Sequence, residues 1–219
     1  MTTPDRYRTL AGPGESLYKA KGSKHYGYAY PIGSEEEAAT FVKTLRERHH
    51  KARHWCYAYR LGDGDAARWR ANDDGEPRHS AGPPILGQID AAGLTDVLVV
   101  VVRYFGGTKL GVGGLIDAYR TAAAEALAAA PQEERTRMRT LRASTDYTRL
   151  SDLMNAVKAG GWTIEAQRFE AAVELELSFR AGGFDEAYAA LWLVLAEAYP
   201  GQERLDEDPP GYTLARAAP

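Results

Sequence analysis

One stretch decides the fold of this chain by joining a strand to a helix: Leu98-Val-Val-Val-Val-Arg-Tyr-Phe-Gly-Gly-Thr-Lys-Leu-Gly-Val-Gly-Gly-Leu-Ile-Asp-Ala-Tyr119. The apolar β-branched run at 97–102 predicts a buried strand. A turn with five glycines follows, and an alanine-rich helix is predicted from about residue 115 to 129. Glycine costs about 0.5–1 kcal/mol relative to alanine inside a regular element. The glycines therefore predict a backbone that turns tightly or lies close to another group.

Positive charge lies in the same stretch, on Arg103 and Lys109. A helix N-terminus offers free N–H groups and the positive end of the helix dipole, so the turn is a candidate anion site. Its spacing matches neither the P-loop nor the dinucleotide-binding G-x-G-x-x-G pattern. The alternative is that the glycines only let the strand and the helix pack closely. The candidate binding residues here are Arg103, Tyr104, Gly106, Gly107, Lys109, Gly111, Gly113 and Gly114.

A loop is predicted between residues 62 and 84, and it contains Asp73, Asp74 and Glu76. Carboxylate oxygens are the ligands that Mg²⁺ prefers, which would make these acids part of a binding site. Asp-Gly and Glu-Pro are also ordinary turn sequences, so the acids have a purely structural interpretation as well. We include all three among the candidate ligand-binding residues, and we expect no tightly bound metal or cofactor.

Composition limits the class of protein. The 219 residues are enough for two small domains, and 44% hydrophobic with 26% charged residues is typical of a globular protein. No apolar run approaches a membrane span, and the lone Cys56 fits a reducing compartment, so we expect a cytoplasmic protein without a membrane partner. The net charge of −3 excludes a strongly basic surface overall. Residues 1–131 carry +2 and residues 132–219 carry −5, so anion binding is expected in the first part.

The order of predicted elements indicates an α+β protein of two domains, 1–131 and 132–219. The first begins with a loose terminus at 1–15 and continues with strands at 17–21, 25–30, 54–61 and 96–104, and with helices from Ser34, at 85–92 and at 115–129. Residues 131–134 are predicted to be a linker. The second domain has strands at 135–147, 162–169, 171–180 and 202–215 and helices at 148–159 and 184–199. That βαββαβ order is the ferredoxin-like arrangement.

Three motifs carry a resemblance to the YigZ/IMPACT family: Tyr104-Phe-Gly-Gly-Thr-Lys-Leu-Gly-Val-Gly-Gly-Leu115, Asp73-Asp-Gly-Glu-Pro77 with Ala81-Gly-Pro-Pro-Ile-Leu86, and His54-Trp-Cys-Tyr-Ala-Tyr-Arg-Leu-Gly62. The chain departs from the family where it has His79-Ser80, since the family usually places Gly-Thr there. The resemblance implies a first domain with the fold of domain 2 of ribosomal protein S5. It implies a second domain like a C-terminal domain of elongation factor G.

The resemblance also implies a function, because eukaryotic relatives regulate the pathway that senses amino-acid starvation through the ribosome. The first hypothesis is therefore a non-enzymatic regulator of translation that binds RNA, the ribosome or a translation-associated protein. The second is a Mg²⁺-dependent enzyme acting on a phosphorylated small molecule or nucleotide, which requires the acidic loop and the glycine turn to converge. The third is a protein-interaction module that exposes the tyrosine faces of two strands, Tyr26, Tyr28, Tyr30, Tyr57 and Tyr59.

Overall fold

The structure is a computed structural model that describes residues 5–62, 67–197 and 204–216. It divides into two compact units. The first unit is Tyr7–Arg135, and the second contains residues 5–6 and the described residues from 136 onward. Within the described ranges, no helix combines the length with the apolar character that crossing a membrane requires.

Seven strands and three helices build the first unit and its border. The strands are β1 (Arg6–Leu10), β2 (Gly14–Ala20), β3 (Ser23–Pro31), β4 (His54–Leu61), β5 (Arg68–Asn72), β6 (Val97–Tyr104) and β7 (Gln132–Thr136). The helices are α1 (Glu35–Arg48), α2 (Gly82–Ala91) and α3 (Gly111–Ala129). A central sheet has the order β2-β3-β6-β4-β5 with antiparallel neighbours, and β1 pairs with β7 in a separate ribbon.

Strand β6 lies in the middle of the central sheet and is covered on both faces. Val97, Val99 and Val101 pack with α2 and α3, while Leu98, Val100 and Val102 pack with α1. All six side chains are fully buried. The continuous apolar run predicted burial on both faces, because a strand with one face exposed to solvent would alternate apolar and polar residues.

The tyrosines of β3 and β4 lie on the α1 face, as their alternation predicts. Tyr28 and Tyr59 are buried, and Tyr26, Tyr30 and Tyr57 pack against the same core. The rings are covered by α1, so the hypothesis that they form an exposed interaction surface is wrong. Helix α1 begins at the predicted cap, since the Glu37 N–H donates to Ser34 Oγ at 3.2 Å.

Four sequence-based boundaries need correction. The predicted loose terminus at 1–15 contains β1 and the start of β2, and the predicted loop at 62–84 contains β5. Residues 132–134 of the predicted linker belong to β7, and β7 ends before the next strand begins. Helix α3 begins at Gly111, four residues earlier than expected. The sequence prediction missed β1 and β7. Both strands are short, and they pair with each other from the two ends of the first unit, which leaves no local pattern in the sequence.

The second unit contains β8 (Met138–Thr145), α4 (Leu150–Gly160), β9 (Thr163–Phe169), β10 (Val173–Arg180), α5 (Phe184–Leu195) and β11 (Tyr212–Arg216). Its strands are antiparallel in the order β11-β8-β10-β9, and alternate residues of β8 and β10 pack on the two helices. Helix α4 ends at Gly161 in the left-handed conformation, at a φ of 65°. Residues 198–203, in which we predicted a helix end and a strand start, lie outside the described residues.

Candidate functional site

The glycine loop, residues 105–110, connects the end of β6 to the first turn of α3. Gly106 lies against the turn between β2 and β3, where an added Cβ would be 1.9 Å from the carbonyl carbon of Gly22. Its N–H donates to Ser23 Oγ at 3.1 Å. Close packing therefore explains Gly106.

Close packing does not explain three of the other glycines. An added Cβ on Gly107, Gly111 or Gly113 would meet nothing within 4 Å. Gly107 and Gly111 have φ angles of 91° and 75°, which only glycine adopts without strain. The loop backbone is therefore shaped to turn sharply and to stay open to solvent.

Lys109 is exposed on this loop and makes no ion pair with any described residue. The N-cap of α3, Leu110, supplies no side-chain hydrogen bond, and the first turn of the helix has no acidic side chain. The side chains of Phe105 and Val112 are each 55% exposed beside it. The loop therefore carries an exposed cation without an ion-pair partner among the described residues, an exposed aromatic ring, and a helix N-terminus without a side-chain cap.

Arg103 and Tyr104 lie elsewhere, although both were predicted to bind the ligand. Arg103 is buried, and its Nη1 is 2.6 Å from Oε1 of Glu76, which also accepts a hydrogen bond from the Tyr119 hydroxyl at 2.8 Å. The Tyr104 hydroxyl is on the opposite sheet face, 3.0 Å from Nδ1 of His49. Both side chains are engaged inside the protein, and a ligand-binding role for them stays a prediction.

The acidic residues make internal contacts as well. Asp73 accepts hydrogen bonds from the N–H groups of His79, Ala81 and Gly82 at 2.8–3.0 Å, so it anchors the start of α2. Asp74 pairs with Arg46 at 2.5 Å and accepts the Trp55 N–H at 2.7 Å. In the part of the chain that the structure describes, no three metal-ligating side chains come together. These carboxylates hold the loop, and their predicted role toward a ligand is untested.

The enzyme hypothesis requires the acidic loop and the glycine turn to converge. Among the described residues the ion pair between these segments is the buried Glu76–Arg103 pair, and Arg103 belongs to β6, just before the glycine loop. Cys56 lies in the same cluster, where its Sγ is 3.0 Å from the Asp73 carbonyl oxygen and 3.4 Å from the Tyr119 hydroxyl oxygen, two alternative acceptors for the one S–H. Burial raises the pKa values of both the Cys56 thiol and the Tyr119 phenol, so both stay protonated at neutral pH. Neither group is an activated nucleophile in this state.

The sequence reasoning did not single out three lysines at the β2–β3 turn, the turn that contacts the glycine loop at Gly106. Lys19, Lys21 and Lys24 surround the β2–β3 turn, and all are exposed. The signal available was three lysines within six residues at a predicted turn. What no local pattern could indicate is that this turn packs on Gly106, 83 residues further along the chain.

Comparison with known proteins identifies the family. The Impact N-terminal domain matches residues 21–127. The IMPACT family member YvyE of Bacillus subtilis is 36% identical over 170 residues, which cover 78% of each chain. The IMPACT family member YigZ of Escherichia coli is 32% identical over 157 residues, covering 71% of this chain and 77% of the relative. This chain belongs to the IMPACT family, as its three motifs predicted.

A shorter match has a higher identity: an IMPACT family member from Thermus thermophilus is 53% identical over 110 residues, which are 50% of this chain and 58% of the relative. Among solved structures, the crystal structure of a hypothetical protein aligns with a TM-score of 0.68 at 25% identity and covers 99% of both chains. That agreement supports the fold over the whole length. The two-domain translational regulator Yih1 aligns with a TM-score of 0.33 at 26% identity over 59% of this chain and 50% of its own.

Proposed function

We propose that this protein is a non-enzymatic regulator of translation that acts in the cytoplasm. It binds RNA, the ribosome or a translation-associated protein through the glycine-loop face of the first unit. Membership of the IMPACT family and the role of its eukaryotic members support a function in the regulation of translation. The observation that carries the site is the exposed Lys109, which has no ion-pair partner in the described part of the chain and lies just before α3, whose N-terminus has no side-chain cap.

We also propose names for the two folds. The first unit has the fold of domain 2 of ribosomal protein S5, and the second is ferredoxin-like and resembles a C-terminal domain of elongation factor G. The strand order β11-β8-β10-β9 and the βαββαβ succession support the second assignment. The two units act as two domains, which the sequence divides at residue 131 and the structure at residues 135–136.

The physical basis of binding at the glycine loop is local. The net charge of −3 gives the whole chain no general attraction for phosphate. An oxyanion at the start of α3 receives main-chain N–H groups and the positive end of the helix dipole, and Lys109 adds a point charge. Such a contact weakens as salt concentration rises, because bound counterions are released from the nucleic acid on binding.

Ribosome pelleting and filter binding of total RNA, each at several salt concentrations, test this proposal. Lys109→Glu is expected to lower the retained fraction several-fold and to reduce the salt slope by about one. Lys43→Glu is the matched control, since Lys43 is an exposed lysine on α1, which covers the other face of the central sheet. If the retained fraction changes neither with salt concentration nor on charge reversal at Lys109, the proposal is contradicted.

A further inference from the structure

Strand β5 is one edge of the central sheet, and its first half is open to solvent. Among the described strands it pairs with β4 and with no other. Its first three residues, Arg68, Trp69 and Arg70, are exposed. An edge strand offers N–H and C=O groups to a further strand, and proteins usually protect such an edge with charged side chains. The two arginines fit that protection, but an exposed tryptophan between them does not.

Trp69 differs from the other tryptophans of the chain. Its side chain is 60% exposed, whereas Trp192 is buried and Trp55 and Trp162 are half-buried. A tryptophan ring is a large apolar surface, and tryptophan is enriched at the centres of protein interfaces, where it contributes much of the binding energy. Folding of the first unit leaves most of this ring uncovered, so a partner that covers it gains the apolar area.

On the α2 face of the sheet, β5 lines an apolar groove. Trp69 and Ala71 lie on this face, because Ala71 is the cross-strand partner of Ala58, which packs with α2 and α3. The groove has a volume of about 480 Å³ and is also lined by Pro83 and Leu86 of α2. The other residues that line it are Asp73, Arg78, His79, Gly87 and Asp90. The groove therefore suits an apolar side chain placed beside Trp69.

On the α1 face, β5 lines a second groove, of about 290 Å³, with a cation at the strand. Arg68 and Arg70 lie on this face, because Arg70 is the cross-strand partner of Tyr59, which packs with α1. Glu35 of α1 lines the same groove, but its carboxylate accepts the Tyr59 hydroxyl at 2.8 Å and pairs with Arg68 at 3.4 Å. An acidic side chain brought beside Arg70 is therefore attracted by the arginine, while the charge of Glu35 is already compensated.

We propose that the edge of β5 is a docking site for an extended acidic segment of a partner protein, which pairs with the strand and continues the central sheet. Successive side chains of a strand point to opposite faces, so the segment places acidic side chains opposite Arg68 and Arg70 and apolar ones opposite Trp69 and Ala71. Main-chain hydrogen bonds supply affinity, and the two grooves select the alternating sequence. The site is on β5, away from the glycine loop, and the inference goes beyond the proposed function.

A second copy of this chain is a poorer occupant of the edge. Antiparallel pairing of two β5 strands about a two-fold axis centred on Trp69 or on Arg70 places an arginine opposite an arginine. Like charges directly opposite on two strands are destabilising. The charges of the edge therefore disfavour self-pairing and favour an acidic strand.

Fluorescence anisotropy of the full chain with a short labelled peptide that alternates glutamate and valine tests the inference. The wild type is expected to bind this peptide at least several-fold more tightly than a peptide of the same composition with all glutamates before all valines. Trp69→Ala and Arg70→Glu are each expected to weaken binding about tenfold or more, as at an interface hot spot. Phe169→Ala and Arg120→Glu change exposed side chains outside both grooves and are expected to bind like wild type.

Two N-methylated forms of the alternating peptide distinguish strand pairing from contact through side chains alone. One form is methylated on the glutamate amides and the other on the valine amides. Alternate amides of a paired strand point toward its neighbour, so one form is expected to lose binding about tenfold or more and the other to bind like the parent peptide. Equal losses for the two forms, or no binding of the parent peptide by the wild type, overturn the inference.

Lys109→Glu separates this inference from the proposed function, because it is expected to keep peptide binding while it loses ribosomes or RNA. If Lys109→Glu loses the peptide, the peptide binds at the glycine loop and the inference is overturned. If peptide binding depends on Trp69 and Arg70 while the wild type neither pellets nor binds RNA, the inference stands and the proposed function fails. A wild-type dimer in sedimentation experiments that Trp69→Ala dissociates means that a second copy occupies the edge, and it overturns the inference. Thermal unfolding of each variant establishes that it is folded.

Discussion

Three polar side chains lie in one row across the central sheet, since His25 and His54 are the cross-strand partners of Arg103 on either side. Arg103 meets the carboxylate of Glu76, and both ring nitrogens of the fully buried His25 lack a hydrogen-bond partner in the structure. Such a row is unusual in a core, because buried charge is tolerated only when it is paired and hydrogen-bonded. Arg103 is two residues before the glycine loop, so the integrity of this row supports the point at which the loop begins.

Replacing Arg103 with Met leaves the Glu76 carboxylate buried without its cation. We expect Arg103→Met to lower the free energy of unfolding by about 3–5 kcal/mol, measured by urea denaturation at pH 7. The double variant Arg103→Met/Glu76→Gln removes both charges and is expected to recover a large part of that loss. A loss below about 1 kcal/mol for the single variant would mean that the ion pair is not buried as described.

His25 predicts a pH dependence of stability. Burial, and after it the charge of Arg103, lowers the pKa of His25 from 6.5 to about 4. His25 therefore becomes protonated near pH 6.5 in the unfolded chain but only near pH 4 in the folded chain. Above pH 6.5, His25 leaves the free energy of unfolding unchanged. Between pH 6.5 and pH 4 it lowers the free energy of unfolding by at most about 3 kcal/mol, and below pH 4 it causes no further change. Urea unfolding of His25→Leu between pH 7 and pH 4 should lack this component.

His79 occupies the left-handed region with a φ of 62°, at the position where the family usually has glycine. Glycine adopts this conformation without the clash that an L side chain suffers, although it loses more chain entropy on folding. We expect His79→Gly to stabilise the protein by up to about 1 kcal/mol, seen as a higher midpoint of thermal unfolding. Arg78→Gly serves as control, since Arg78 is outside the left-handed region and glycine there should only destabilise.

At the scale of elements, the glycine loop is held between a buried strand and the β2–β3 hairpin. Strand β6 is rigid because both of its faces are covered, and the hairpin turn contacts the loop at Gly106. The loop residues beyond that contact are open to solvent up to α3. A firm base with an open tip is suited to presenting Lys109 and Phe105 in one orientation.

Two glycines of this region are expected to respond oppositely to alanine. Gly106→Ala would place a Cβ 1.9 Å from the Gly22 carbonyl carbon, so the hairpin or the loop must move, at a cost of about 1–3 kcal/mol or more. Gly113→Ala meets nothing within 4 Å inside a helix and should stabilise by about 0.5–1 kcal/mol. Chemical denaturation of both variants measures the contrast. Equal effects would mean that the loop and the hairpin are not in contact.

At the scale of the whole molecule, charge is divided unevenly. The first 131 residues carry +2 and the remainder carries −5, so a basic contact surface is confined to the first unit. The acidic second part repels a polyanion that approaches it, which favours binding at the glycine loop of the first unit.

This confinement sets a limit on the salt dependence of binding. Lys109 is the one cation among residues 105–110, so a contact confined to the glycine loop predicts a slope of log affinity against log salt of about −1. Fluorescence anisotropy titrations of the wild-type chain with a labelled single-stranded RNA, from about 50 to about 300 mM salt, measure this slope. A slope near −6 would require further cations, and the contact surface would then extend beyond the glycine loop.

Much of the local structure follows from the sequence because the signals are local. The unbroken valine run predicts a strand buried on both faces, and Ser34 with Glu37 predicts the start of α1. Family membership follows from three motifs, and the exposed Lys109 follows from its position among glycines. Each of these depends on neighbours a few residues apart, where periodicity, capping and turn geometry operate.

Only the tertiary structure decided which cations face solvent. Arg103 and Lys109 look alike in the sequence, yet one meets Glu76 in the core and the other stays free. The pairing of β1 with β7 and the packing of Gly22 on Gly106 likewise join segments far apart in the chain. The physical reason is that burial and ion pairing depend on which distant side chains arrive at the same place, and the residues next to a position along the chain do not specify that.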